Sequence, residues 1–241
     1  MLSITTVSIF LFPYIQQAEA LAAVIFIGSA IGSLIPDVDA PDATIFHENV
    51  RGLDSKIGKA INDFIGPFLP IFGYITKYMI YKPAVFLFDH LFKKYSFRDR
   101  HRAFSHSIFG VFFMTAVTGV YMVPVLLWLK LFLPLYLAAF LAAYAIGAFL
   151  HMLEDSCTKS GIAWNSPFSQ KKLRGRLVTG KDNWQPAFFL YFLVLIGVAV
   201  IYVDNSSQYV MSDPVLTGCS FLAVTFSWLF FTKGIARVKL D

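Results

Sequence analysis

The sequence is poor in cysteine and in charge, and both shortages narrow the classes of protein that it can encode. Cys157 and Cys219 are its two cysteines in 241 residues, so a disulfide-rich scaffold is excluded and we expect two free thiols. Asp, Glu, Lys and Arg make up 15% of the chain, whereas 57% of it is hydrophobic. Soluble domains are about 25% charged. The composition therefore indicates an integral membrane protein.

Three further features are missing. No Lys or Arg precedes Arg51, so the apolar start lacks the basic region of a signal peptide. No internal repeat is visible and the ionisable clusters lie at the ends of apolar segments, which argues against a transporter but leaves a small one as an alternative. No helix-turn-helix or aromatic stacking pattern accompanies the net charge of +5. We therefore expect the basic residues to contact lipid headgroups and not nucleic acid.

Five apolar segments approach the length of about 20 residues that crosses a bilayer. They are residues 21–35, 108–128, 135–153, 187–203 and 215–231. Residues 2–15 are apolar but short, and residues 64–92 are interrupted by prolines and charges, which favours an interfacial or re-entrant segment or a strained hairpin. The predicted fold is an all-α integral membrane protein, a bundle of about five to seven transmembrane or re-entrant helices.

We expect one membrane-embedded domain over residues 1–241. It would comprise a motif-bearing core at 20–183, an insert at 49–99 and a C-terminal helical pair at 184–232. The role of the insert is left open.

The basic residues predict how the chain is oriented. They gather before the second of the five segments, between the third and fourth, and at the end of the chain, while the other loops are poor in them. Because basic loops stay in the cytoplasm, these regions and the C-terminus are predicted to be cytoplasmic, in the inner membrane of a cell. A first crossing by residues 2–15 would place the end of segment 21–35 on the same side.

Two carboxylates, Asp37 and Asp39, follow Pro36 at the end of an apolar segment. In an extended turn, residues two apart present their side chains to the same side. Two such carboxylates repel each other, and a divalent cation would relieve the repulsion. A solvated turn is the alternative interpretation.

Two histidines, His101 and His106, precede the segment that begins at Ile108. Five residues apart on one helix they would diverge by about 140°, so we expect His101 to lie in a loop that folds back. Ser105 or Ser107 would cap the helix that follows. Arg102 could bind an anionic substrate group. The alternative is a basic juxtamembrane stretch without a ligand.

His151 and Asp155 are four residues apart near the end of another apolar segment. On a continuous helix both project from one face, the spacing that lets an imidazole and a carboxylate bind one ion. An interfacial histidine with a solvated carboxylate is the alternative.

Together these motifs resemble one known family. The pattern of residues 34–39, of His101, Arg102 and residues 105–107, of His151, Asp155, Thr158 and Gly161, and of residues 164–168 is similar to that of the YdjM-like inner-membrane-associated metal-dependent hydrolases. The resemblance extends over residues 34–168. Ser105 stands where that family often has Thr, and the aromatic insert is a departure from its pattern.

The resemblance implies a prokaryotic, membrane-bound, metal-dependent hydrolase. The predicted metal ligands and catalytic residues are Asp37, Asp39, His101, His106, His151 and Asp155. Six mixed donors suit two ions or one six-coordinate Mn or Fe, with zinc the first choice. The predicted substrate is a phosphoester or lipid headgroup at the cytoplasmic membrane surface, held by Arg102, Ser105, Lys171, Lys172 and Arg174. A non-enzymatic membrane scaffold or regulatory protein with a structural metal is the alternative function.

Overall fold

The computed structural model describes residues 2–12, 18–40, 43–48, 56–92, 104–178, 184–205 and 213–241. Helices dominate these residues, and the strands are two short ones. In chain order the α-helices are α1 (Leu2–Leu11), α2 (Glu19–Leu34), α3 (Lys56–Ile65), α4 (Phe68–Ile75), α5 (Lys82–Leu91), α6 (Ile108–Trp128), α7 (Pro134–Ser156), α8 (Trp184–Asn205) and α9 (Asp213–Leu229). The strands are β1 (Leu173–Arg174) and β2 (Lys239–Leu240), paired antiparallel.

Three shorter helical pieces join or extend these helices. A 3-10 turn, Ile35–Asp39, continues α2, and a second one covers Thr44–Phe46. A π-helical stretch, Thr76–Tyr81, joins α4 to α5, and another, Phe230–Ile235, extends α9.

Five helices of the described residues are long and apolar enough to cross a membrane, which confirms the predicted membrane-embedded, all-α fold. They are Glu19–Asp39, Ile108–Trp128, Pro134–Ser156, Trp184–Asn205 and Pro214–Ile235. Each contains an 18-residue window with at most two charged residues. A helix of 20 residues is about 30 Å long, the thickness of the hydrocarbon core.

The first helix is too short to cross alone. α1 has ten residues, which gives a length of about 15 Å at 1.5 Å per residue. Half of its side chains are buried, among them Leu2, Val7 and Ile9. The predicted crossing by residues 2–15, and with it the orientation of the chain, stays a prediction.

The described residues divide into two compact units. The first unit comprises Met1–Ser33, Leu133–Ile162 and Lys171–Asp241. Within it α1 packs against α7, α8 and α9, and α8 packs against α9. Rings of Phe189 and Phe231 stack with centroids 4.2 Å apart at the centre of its core.

Two glycines, Gly28 and Gly32, allow α2 and α7 of this unit to approach closely. A Cβ added to Gly28 would lie 2.7 Å from the carbonyl oxygen of Phe140, and one added to Gly32 would meet the backbone of Tyr144. A side chain at either position would push the two helices apart.

The second unit comprises Leu34–Phe132 and Ala163–Gln170. Phe88 is fully buried there, and its ring contacts those of Phe104, Phe113 and Phe168. The part of the chain that the structure describes between 68 and 91 is one helical stretch, so the hairpin considered for residues 64–92 does not form. The N–H of Lys82 donates to the carbonyl of Lys77, five residues back, immediately before Pro83. This π-helical register accommodates a proline, which has no N–H to donate.

Candidate metal centre

Asp37 lies in the 3-10 turn that ends the first membrane span. Pro36 occupies the first turn, where its missing N–H costs nothing, and the N–H of Ala40 donates to the carbonyl of Asp37 at 3.0 Å. The Asp37 side chain is 40% exposed. The expected extended turn was wrong: at three residues per turn, Asp37 and Asp39 lie about 240° apart around the axis and point in different directions.

His106 is fully buried in the turn that leads into α6. Its Nδ1 lies 3.1 Å from the hydroxyl of Ser105, which is also fully buried. On the other side of the ring, Nε2 lies 3.7 Å from Oδ1 of Asp37. Ser107 is the N-cap, one of the two predicted candidates, since its hydroxyl accepts the N–H of Gly110 at 3.0 Å.

The distance between Oδ1 of Asp37 and Nε2 of His106 distinguishes a hydrogen bond from a pair of metal ligands. At 3.7 Å the two atoms are too far apart for a hydrogen bond, which needs about 2.7–3.2 Å. Two ligands at about 2.0–2.1 Å from one tetrahedral ion are roughly 3.4 Å apart. The pair therefore has nearly the spacing of two ligands that share an ion.

A second pair of this kind lies on α7 in the first unit. Nε2 of His151 is 4.0 Å from Oδ2 of Asp155, one helical turn further on. Both side chains are largely buried, with 17% and 14% exposure. The helix is continuous through both residues, which agrees with the prediction that they share a face.

The other predicted site residues fall in several places. His101 and Arg102 lie outside the described residues. Asp39 is half-buried at the end of its 3-10 turn. Arg174 lies on β1, where its Nη1 is 3.4 Å from Oδ2 of Asp241.

The two predicted lysines lie beside that strand pair. Lys171 is exposed, and Lys172 exchanges both backbone hydrogen bonds with Asp241. Pairing of β1 with β2 thus ties the basic loop of the first unit to the end of the described chain.

Gly161 and residues 164–168, which end the family pattern, determine the local backbone conformation. Gly161 has a φ of +55°, a conformation that side chains rarely adopt, and a Cβ there would meet the carbonyl of Leu173. Within the second unit, the carbonyl of Trp164 accepts the N–H of Ile108 at 2.9 Å, and Phe168 contacts Phe109. These contacts hold the start of α6, two residues beyond His106.

Sequence reasoning missed two polar side chains. Glu154 accepts hydrogen bonds from the N–H and the hydroxyl of Ser3, at 3.1 and 2.7 Å, and so holds the start of α1. Thr76 begins the π-helical stretch, which packs against the turn of Asp37. Its buried hydroxyl has no hydrogen-bond partner among the described residues. The one signal in the sequence is that Glu154 adjoins Asp155.

A comparison with protein families places the chain. A family model described as YdjM inner membrane protein matches residues 2–235, nearly the whole chain and well beyond residues 34–168 that carry the motifs. Neither curated proteins nor solved structures give a match. The family description agrees with the five apolar spans, so the protein is a multi-pass membrane protein in contact with lipid. The chain belongs to the family of YdjM inner membrane proteins.

Proposed function

We propose that this protein is a membrane-bound, metal-dependent hydrolase in which Asp37, His106 and His151 bind a divalent cation. Carboxylate oxygens and imidazole nitrogens are donors that divalent metal ions bind in proteins. The observation that carries the proposal is the pair within the second unit, a fully buried imidazole whose Nε2 lies 3.7 Å from a carboxylate oxygen.

Ser105 supports this role for His106. If Nδ1–H donates to the Ser105 hydroxyl, Nε2 carries a lone pair directed away from Ser105. Metal-binding histidines generally donate their other N–H in this way, which fixes the tautomer and the ring orientation. The contact favours a positioning role for Ser105 over direct substrate binding.

Further donors would complete the set. Asp155 lies 4.0 Å from His151, and Asp39 and His101 are the remaining predicted ligands. Nitrogen and oxygen donors fit zinc, and also Mn or Fe if six donors gather around one ion. When bound, such a cation lowers the pKa of a coordinated water and supplies a nucleophile near neutral pH.

The proposed substrate is a phosphoester or a lipid headgroup at the cytoplasmic surface of the inner membrane. Arg102, Lys171, Lys172 and Arg174 would hold its phosphate oxygens through charge-assisted hydrogen bonds. The exposure of Lys171 and of Arg174 (44%) leaves them accessible to a ligand. Asp241 would compete with phosphate for Arg174.

The experiment that tests the proposal is a hydrolysis assay on the purified full chain. Metal-loaded wild type is incubated with p-nitrophenyl phosphate, bis-p-nitrophenyl phosphate and phospholipid in mixed micelles, beside His151→Ala and His90→Ala. His90 is exposed, stacked on Phe86 and outside both pairs, so its variant is a matched control.

We expect turnover that chelation abolishes, that His151→Ala loses and that His90→Ala keeps. Metal-loaded wild type that hydrolyses none of these substrates would contradict the enzymatic function and favour a membrane scaffold with a structural metal.

A further inference from the structure

An apolar groove of about 650 Å³ runs along the helices of the first unit. Side chains of α1, α2, α7 and α9 line it, including Ile25, Leu150 and Phe221. The last three of these helices belong to candidate membrane spans. Hydrocarbon is the solvent around such spans, so the groove opens among surfaces that contact lipid chains.

The walls of the groove offer a ligand few polar partners. Among its described lining residues none is charged, and the hydroxyls are those of three threonines. Thr6 Oγ1 accepts a hydrogen bond from Nε1 of Trp228 at 3.1 Å, and Thr232 Oγ1 donates to the carbonyl of Trp228 at 2.8 Å. Because two of the three hydroxyls are already engaged, the groove suits a hydrocarbon ligand. Its volume lies within the range of about 300–1,000 Å³ for small-molecule sites.

A second cavity, of about 430 Å³, follows the groove along the same helices. On α7, Leu150 and Leu153 line the groove, while the next residues, Glu154 and Asp155, line the second cavity. The same succession occurs on α1, where Leu2 lines the cavity and Thr6 the groove. An apolar space is thus followed by one with two carboxylates, which suits a lipid whose headgroup carries an ammonium group.

The short first helix explains why the groove exists. α1 has ten residues and so extends about 15 Å, half of the hydrocarbon thickness. It covers only part of the longer α7 and α9 against which it packs. Among the described residues, the part of α7 and α9 beyond α1 lines the groove, where it is open to a lipid chain.

We propose that the groove binds one acyl chain of a membrane lipid, whose headgroup lies in the cavity beside Asp155. The inference rests on the proposed function in one respect, that the bound lipid is the substrate. In that case the natural substrate is an amphiphile with an acyl chain and not a soluble phosphoester.

The test is photo-crosslinking of the full chain in detergent with phosphatidylethanolamine that carries a diazirine in the middle of one acyl chain. Labelled residues are located by mass spectrometry. We expect labelling to saturate at one lipid per chain and to fall on groove residues of α7 and α9, such as Leu150 and Val224. Labelling that does not saturate, or that spreads evenly over the exposed apolar residues, would overturn the proposal.

Two tryptophan variants on one helix sharpen the test. Thr225→Trp fills the groove, whereas Ala223 is exposed and about 200° away around α9, so Ala223→Trp adds the same bulk elsewhere. We expect Thr225→Trp to lower saturable labelling by about tenfold, since the indole displaces roughly two methylene groups. Ala223→Trp should label like wild type. Equal labelling of Thr225→Trp and wild type would overturn the proposal.

If Thr225→Trp does not fold, Ile146→Trp provides the same test, because Ile146 lines the groove and is already 50% exposed. His106→Ala separates this proposal from the proposed function. Undiminished lipid labelling in a variant without metal or activity would support the lipid site and contradict only the proposed function. Metal-dependent hydrolysis by a chain that shows no saturable labelling would overturn the lipid site alone.

Discussion

Removing the hydroxyl of Ser105 should weaken metal binding without unfolding the protein. Ser105 and His106 are both fully buried, and the hydroxyl lies 3.1 Å from Nδ1. Loss of such a supporting contact costs metal affinity about 10- to 100-fold, which is about 1.4 to 2.8 kcal/mol. We therefore expect the dissociation constant of Ser105→Ala to rise by that factor.

Ser107 provides a control from the same turn. It is equally buried, but its hydroxyl accepts the N–H of Gly110 and donates to the carbonyl of Phe104, and so serves the start of α6. Ser107→Ala should cost about 1 kcal/mol of stability, as loss of an N-cap does. Its metal affinity should equal that of wild type.

The assay titrates metal into the metal-free chain against a chromogenic chelator and follows thermal unfolding of the same samples. We expect the two variants to differ in what they lose: Ser105→Ala loses metal affinity, and Ser107→Ala loses thermal stability. If wild type binds the metal and the dissociation constant of Ser105→Ala lies within twofold of the wild-type value, the role assigned to this hydrogen bond is refuted. Equal losses of affinity in both variants would refute it as well.

Three further predictions concern the first unit. Glu154→Ala removes the acceptor of two hydrogen bonds from Ser3 and should cost about 1.5–3 kcal/mol, measured as a lower Tm; an unchanged Tm would contradict the docking of α1 through this carboxylate. Burial, with the charges of two neighbouring carboxylates, raises the pKa of the Cys157 thiol to about 12, so its alkylation by iodoacetamide should stay slow at pH 7–9 and accelerate only as pH approaches that value. Rapid alkylation of Cys157 at pH 8 would disprove this. Gly161→Ala places a Cβ at a φ of +55°, so it should cost about 1 kcal/mol or more of stability and lower the Tm. Gly218→Ala, where a Cβ meets nothing within 4 Å, should not lower the Tm. Similar Tm values for the two variants would argue against backbone strain at Gly161.

Local sequence patterns were sufficient for the spans and for parts of the site. The span Ile108–Trp128 was predicted with the bounds it has, because hydrocarbon thickness alone sets the length of an apolar segment. The cap at Ser107 and the shared face of His151 and Asp155 follow from helix geometry within a few residues of sequence.

Features that depend on distant partners could not be predicted in this way. Glu154 holds Ser3, 151 residues away in sequence, and no local pattern joins them. The 3-10 turn of Asp37 and the π-helical stretch before Pro83 are departures from regular geometry in segments that pack against each other. Hydrophobic periodicity contains no signal for either, so the direction of the Asp39 carboxylate was predicted incorrectly.

The most direct test of the proposed metal centre is elemental analysis of the detergent-purified chain, prepared without chelator. Wild type is compared with the double variant His106→Ala, His151→Ala and with a matched double variant, His47→Ala, His90→Ala, which removes two exposed histidines. We expect stoichiometric zinc, manganese or iron in wild type and in the second variant, and none in the first. Equal metal content in all three proteins, or no metal in wild type, would contradict it.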